Sequence, residues 1–467
     1  MNASPDALST LRVDALQIFH RTLADCSIPA AMKRTLRCDG SILHRLRANF
    51  RAGDADESGA ASAQIDVAQF SQIFVIAIGK AACPMLDSLL AILPANLPLR
   101  GVCAAPALPD QPHPHIRYFA AGHPLPNADS FAAARAALEL LHKANGDTLV
   151  FFLISGGGSA LCELPLDPAI TLEETRQFHQ ALIGCGASIT EINAIRQQLS
   201  AVKGERLALA AAPATQLSLF VSDVPANELA ALASGPTLPP QTSGTSVPDL
   251  LVRYALLDVF PPAVRRFFEQ QSRIMGPTPT LVGDTHGHVE RRFFDLLLSS
   301  EEVAVAAQRH AAALGYQTAL ENRCDDWPAG DAARFLLQRL EQLSAATDSL
   351  CLISTGEVTV RLSASHGTGG RNQHFALEMA RLLRDSGTCT GTVALSAGTD
   401  GVDGNSPAAG AIVDSMTFAR AAQLGFDPVA ALHEHNSWPL FYSLEDAILT
   451  GATGNNLRDL RLLLTAR

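Results

Sequence analysis

Two cations in this sequence stand where a strand would end among small residues, and both are suited to meet an anion. Lys80 follows the apolar run FVIAIG in VIAIGKAACPM. Its ammonium and the free N–H groups of a helix start could address one negative charge together. Arg371 sits in GTGGRNQ, behind Gly369 and Gly370 and ahead of the helical stretch NQHFALEMARLL. Its planar fork of donors matches a carboxylate or a phosphate. In LISGGGSAL, Gly156, Gly157 and Gly158 permit positive φ and let main-chain N–H groups wrap a phosphate, with Ser155 and Ser159 as hydroxyl donors. Asp223 in SDVPAN, and Asp400 and Asp403 in SAGTDGVDGNSP, are carboxylates of the kind that hold Mg²⁺ next to phosphates. Glu357 of STGEVTV and Asn372 beside the arginine complete the candidate substrate and phosphate shell. Such a set neutralises and positions spread negative charge, which is what phosphoryl transfer asks for, and it needs no protein nucleophile.

Each residue also has a plainer reading. Lys80 can be a solvated lysine at a strand end, and the triple glycine a tight turn without a ligand. Asp403, and less readily Asp223 and Asp400, can serve as helix N-caps or in Asx turns. Arg371 can be tied in an ion pair to Glu357 or Glu378. Two familiar phosphate motifs do not match. The P-loop requires glycine where Phe74 stands and Ser or Thr where Ala81 stands, and G-x-G-x-x-G fails at Leu161. His286/His288 and His433/His435 lack a third ligand and read as surface pairs.

The elements that must position these groups are short apolar runs alternating with Ala/Leu-rich helical stretches: FVIAIG from Phe74, LVFFLIS from Leu149, LSLFVSD from Leu217, LCLIS from Leu350 and TVALSAGTD from Thr392. That alternation predicts βαβ units around a mostly parallel sheet. The runs end in GKAA, SGGGSA, SDVPAN, STGE and SAGTDG. Ligands of open α/β sheets bind outside the carboxyl ends of the strands, so these clusters are expected to converge on one cleft. A Pro/Gly/Ser/Thr-rich stretch over residues 238 to 280 marks a domain junction, and RANFRAGDADESGAASAQID from Arg47 a surface loop.

Composition sets the limits. The chain has 467 residues, 47% hydrophobic and 17% charged, enough for two domains, with 35 basic against 46 acidic residues. A formal charge of −11 and the absence of a basic block argue against nucleic acid as a partner. The N-terminal MNASPDALSTLRVDALQIFHRTL reads as an amphipathic helix without a basic leader, and no apolar stretch is long enough to span a membrane, so a cytoplasmic protein is expected. Nine scattered cysteines without CxxC predict reduced thiols, and 4 Tyr with 2 Trp leave no evident aromatic shelf for a base.

Taken in order, AIGKAACPM, AAGHPLPNADS, LISGGGSAL, SDVPAN with ASGPT, STGEVTV with GTGGRNQHFALEMA, LSAGTDGVDGNSPAAGAIVD and TGATGNNLRDL resemble the motifs of the class II glycerate kinases with a C-terminal MOFRL domain. The resemblance runs from about Phe74 to the C-terminus. It implies an α/β fold of two domains, a larger Rossmann-like domain over residues 1–275 and a smaller one over 276–467 containing the MOFRL region at about 346–460, with the active site in the cleft. It also implies phosphorylation of D-glycerate by ATP at the 2-hydroxyl, with Lys80 and Arg371 as functional residues; Asp223 and Mg²⁺ are expected beside them from the strand-end carboxylates themselves. A homodimer is compatible with it. The chain departs from the usual pattern at Thr355, Ala452, Asn455 and Asn127. Of these, Thr355 and Asn455 could re-aim the substrate end. Two alternatives stay open: an NAD(P)H-dependent hydroxypyruvate reductase, a label members of this family have carried, and a non-catalytic anion-binding module.

Overall fold

A computed structural model describes residues 5–46, 64–224, 226–239, 246–274, 291–345, 347, 349–362, 365–386 and 391–466. Most of the loop expected from Arg47, and parts of the expected junction at 238–280, lie outside the described residues. The chain forms two compact units, Ala31–Leu297, and Met1–Ala30 together with Leu298–Arg467.

In Ala31–Leu297 a small antiparallel sheet of β1 (Leu36–Asp39), β2 (Ile42–Arg45) and β3 (Gln64–Asp66) precedes a six-stranded sheet. The larger sheet holds β4 (Gln72–Ile78), β5 (Leu99–Ala105), β6 (Ile116–Ala120), β7 (Thr148–Ser155), β8 (Thr215–Val221) and β9 (Arg292–Leu298) in the order β6-β5-β4-β7-β8-β9. Strands β4 to β8 pair in parallel. β7 and β8 are buried along their whole length, which is why FFLI runs apolar without alternation. The chain places β5 and β6 on one side of β4, and β7, β8 and β9 on the other. The order therefore reverses between β4 and β7, the point where open α/β sheets part to form a crevice.

The other unit carries β10 (Gln317–Leu320), β11 (Ser349–Gly356), β12 (Thr392–Gly398), β13 (Gly410–Asp414), β14 (Ala447–Ile448) and β15 (Asp459–Ala466), in the order β10-β11-β15-β12-β13-β14. Only β10 and β11 pair in parallel. β15 lies antiparallel between β11 and β12, so the runs from Leu350 and Thr392 are separated by the C-terminal strand. Its register sets Asp459 opposite both Gly356 and Gly398, at the strand ends that carry Glu357 and Asp400.

The two units divide at other places than the boundary expected at residue 275. The N-terminal helix Pro5–Asp25 buries Leu8, Leu11, Ala15, Ile18 and Phe19, one helical stripe, against the helix Ser300–Ala313, β12 and β15. Arg12 Nη1 meets Asp414 at 2.6 Å, and the Tyr316 hydroxyl donates to Asp14 at 2.6 Å. The first thirty residues thus belong with the C-terminal unit, and the second crossing falls at Leu297/Leu298. Among the described residues no helix is long and apolar enough to cross a membrane.

Candidate functional site

At the reversal between β4 and β7 the two strand ends are stitched together. Lys80 N–H donates to the Gly156 carbonyl at 2.9 Å, and Ala81 N–H to Ser155 Oγ at 3.0 Å. The main chain beside Lys80 is therefore committed to the turn, and Ser155, buried, is a structural acceptor instead of the ligand donor its position suggested. What remains for an anion is the Lys80 side chain, which is exposed and held by no carboxylate among the described residues.

Of the three glycines only Gly157 is left-handed, at φ +80°. A Cβ on it would sit 2.9 Å from His123 Cδ2 and 3.2 Å from Lys80 Cγ, and one on Gly156 2.0 Å from Asp223 Oδ2. These approaches put Lys80, His123 and Asp223 around one bare stretch of backbone. Gly158 starts the short helix Gly158–Leu161 and packs on Ala233. Ser159 Oγ lies 2.8 Å from Ser234 Oγ, which donates to Asn193 Oδ1 at 2.8 Å. Partial burial, then the Lys80 charge, lowers the His123 pKa below the ordinary histidine value, so a neutral imidazole stands beside the lysine. His123 lies in AAGHPLPNADS; no spacing rule marks a lone histidine before proline, and its role emerges only from the fold.

Beneath this turn a charged group is fully buried. Glu163 accepts from Lys203 and faces His179 Nε2 at 3.0 Å. Burial alone would raise its carboxyl, but Lys203 and His179 hold it down to about 2, while burial lowers His179 to about 4.

The second cluster lies in the C-terminal unit, at the start of the helix Arg371–Ser386. Asp403 caps that helix from a neighbouring loop: Oδ1 accepts from Asn372 N–H at 3.0 Å and Oδ2 from Gln373 N–H at 2.8 Å. A Cβ on Gly370 would fall 2.3 Å from Asp403, so glycine there admits the cap. Burial pushes the Asp403 carboxyl up to about 6 against the opposing N–H bonds. Both oxygens accept from the helix start, the capping duty given above as the plainer reading of Asp403. Asn372, expected in the phosphate shell, is buried, and its Oδ1 accepts from Ser396 Oγ at 2.7 Å. Gly369 N–H donates to Asn405 Oδ1 at 2.8 Å and is not open to a ligand. Asp400 Oδ1 accepts from Val402 N–H at 3.1 Å and lines the cavity described below.

Arg371 is held on three nitrogens. Nε and Nη2 reach Asp459 Oδ2 and Oδ1 at 2.7 and 3.1 Å, and Nη1 reaches Glu357 Oε2 at 2.7 Å. The ion pair to Glu357 raised as the plainer reading is present, joined by a carboxylate that sequence reasoning missed. Burial acts to lower the Arg371 pKa, but the two carboxylates outweigh it and the net shift is upward; burial outweighs Arg371 at Glu357 and pushes that carboxyl up. The guanidinium still reaches a cavity of about 720 Å³ that Glu357, Asp400, His374 and His435 also line. His435, read from sequence as a surface residue, is thereby corrected. Two departures from the family pattern have structural duties: Asn127 caps the helix Ala128–Leu141 in a capping box, and Asn455 Nδ2 donates to the Cys26 carbonyl at 2.8 Å.

One unit with an exposed lysine, a glycine turn and a carboxylate at the reversal point of its sheet, and a second unit built around a caged arginine, are each suited to anions and define an α/β enzyme. The sequence profile described as a domain of unknown function (DUF4147) matches residues 14–269, and the MOFRL family profile matches 350–459. The chain is 32% identical to the glycerate 2-kinase of Pyrococcus horikoshii over 394 residues, 83% of this chain and 86% of that one. It is 32% identical to the D-glycerate 2-kinase of Thermotoga maritima over 393 residues, 83% and 89% of the two chains. A crystal structure of glycerate kinase from Thermotoga maritima superposes with TM-score 0.79 at 28% identity, covering 98% of this chain and 100% of that one. The chain belongs to the glycerate kinase family with a C-terminal MOFRL domain.

Proposed function

We propose that this protein is a glycerate 2-kinase that moves the γ-phosphoryl group of ATP to the 2-hydroxyl of D-glycerate. The observation that carries this reading is the grouping of Lys80, His123 and Asp223 around Gly157 at the strand reversal. In the reaction the substrate oxygen attacks the γ-phosphorus, the bond to the β-phosphate oxygen breaks, and the hydroxyl proton must leave. Lys80 neutralises charge on the phosphoryl group or the substrate carboxylate, and the Gly156–Gly158 backbone allows either to come close. His123, kept neutral, accepts the proton. Arg371, gripped by Asp459, is a second fixed positive charge, carried by the other unit.

Asp223 in one unit and Asp400 in the other are each a carboxylate of the kind that donates singly to Mg²⁺. Among the described residues no cluster of three or more His, Cys, Asp or Glu groups forms, which suits a cation that takes most of its ligands from phosphate and water. When bound, Mg²⁺ would neutralise charge shared between the β- and γ-phosphates. The eight described cysteines are free thiols, which supports a reducing compartment, the cytoplasm.

Two relatives from Agrobacterium vitis carry a provisional hydroxypyruvate reductase name. Against that chemistry here stands the failed dinucleotide fingerprint at Leu161. The deciding assay incubates the protein with D-glycerate, ATP and Mg²⁺, and separately with hydroxypyruvate and NADH, and identifies the phosphoglycerate isomer by ³¹P NMR. NADH oxidation without ADP formation would end the kinase reading, and full kinase activity in excess chelator would remove Mg²⁺ from it.

A further inference from the structure

The cavity beside Arg371 is too large to be explained by a three-carbon acid. Its volume of about 720 Å³ lies in the range of sites that take cofactors and drug-sized ligands. Its lining carries four carboxylates, Asp326, Glu357, Asp400 and Asp403, against the single guanidinium of Arg371. Away from Arg371 a small free anion would be repelled there unless a cation came with it, whereas a neutral ring would not.

The rest of the lining is suited to such a ring. His374 and His435 form an imidazole pair with centroids 5.0 Å apart and planes 38° from parallel. Val358, Val360, Leu362 and Val402 supply aliphatic walls, and Leu362 is 57% exposed, a large apolar side chain with little covering it. His435 Nδ1 is buried and makes no hydrogen bond, a deficit that native structures usually meet with a ligand or water. The same residue holds φ +50°, a left-handed conformation that costs a non-glycine residue free energy and persists where packing enforces it. Burial, then His435, also lowers the His374 pKa, so that ring is neutral near pH 7.

We propose that this cavity is the base and ribose subsite for a purine nucleotide, with the His374–His435 pair as the stacking surface and His435 Nδ1 as a hydrogen-bonding group for the base. The proposal rests on the kinase reading above and adds where the nucleotide is recognised. It supplies a heteroaromatic shelf.

The test measures ADP binding by titration calorimetry in the absence of glycerate, for the wild type and for His374→Ala, His374→Phe and His435→Asn. Asparagine tolerates positive φ, so the last change removes the ring without straining the backbone. Loss of one stacking face is expected to weaken ADP binding about tenfold in His374→Ala and His435→Asn. His374→Phe should restore affinity to within about threefold of wild type, since it keeps the aromatic face. KM for D-glycerate should stay within about twofold. Circular dichroism and Tm establish that each variant is folded. Folded variants that bind ADP like the wild type would overturn the subsite while leaving turnover, and hence the kinase reading, intact. Variants that lose ADP affinity, together with a wild type that binds ADP but makes no phosphoglycerate, would sink the kinase reading and leave the subsite standing.

Discussion

Arg371 and Asp459, 88 residues apart in the chain, meet through two parallel contacts, Nε to Oδ2 at 2.7 Å and Nη2 to Oδ1 at 3.1 Å. Asp459 is buried at the start of β15, while the arginine keeps about a third of its side chain exposed (36%). A fixed carboxylate thus grips the inner edge of the guanidinium, and Nη1 turns to Glu357. An incoming anion must displace Glu357 or bind the outer face.

Arg371→Lys keeps the charge but loses the fork, and kcat/KM is expected to fall on the order of 10²-fold. A fall confined to KM for glycerate identifies a carboxylate clamp; a fall in kcat identifies a contact strengthened in the transition state. Arg371→Ala should also cost about 2 kcal/mol in urea unfolding, less than orphaning a fully buried charge because the arginine is partly exposed. Wild-type kinetics in both variants would leave Arg371 a purely structural residue.

Lys80 has its backbone committed and its side chain exposed. Replacing it by alanine should lower kcat/KM on the order of 10²-fold or more, the scale of losing one charged transition-state contact. Unfolding free energy should stay within about 0.5 kcal/mol, the usual spread for a surface change. A folded Lys80→Ala protein with normal turnover would contradict the placement of the reaction at the strand reversal.

His123 titrates below the ordinary histidine value, and a general base works only when unprotonated. The acid limb of the kcat/KM profile should therefore lie below pH 6.5, with activity retained across the range where a free histidine would already be protonated. His123→Gln should remove that limb and lower the plateau about 10²-fold. An acid limb of unchanged position in the variant would assign it to another group.

Asp403 has a carboxyl raised by burial from 3.8 to about 6. Between those values the folded chain keeps a proton that the unfolded chain has released. The group's contribution to stability is therefore complete below pH 3.8 and is lost as pH rises through about 6. Relative to Asp403→Asn, which does not titrate, the wild type should lose about 2–3 kcal/mol of unfolding free energy between pH 4 and 7.5. Urea midpoints at several pH values give this difference directly, and a difference that does not vary with pH would show an ordinary carboxylate.

Local pattern was enough for much of this protein. The runs from Phe74, Leu149, Leu217, Leu350 and Thr392 are all strands, because uninterrupted apolar residues closed by glycine and small polar residues have few other places to fold. The turn that exposes Lys80 and the helix that begins at Arg371 were legible for the same reason, and ordered motifs spread over the chain carried the family. Partnership was not legible. That β15 separates β11 from β12 and brings Asp459 to Arg371, that the first helix joins the C-terminal unit, that Asp403 spends its oxygens on a helix start, and that His374 finds His435 all depend on residues far apart in sequence. Periodicity reports which face of an element is buried, but each of these pairings is chosen by the packing of whole elements, and no local spacing encodes it.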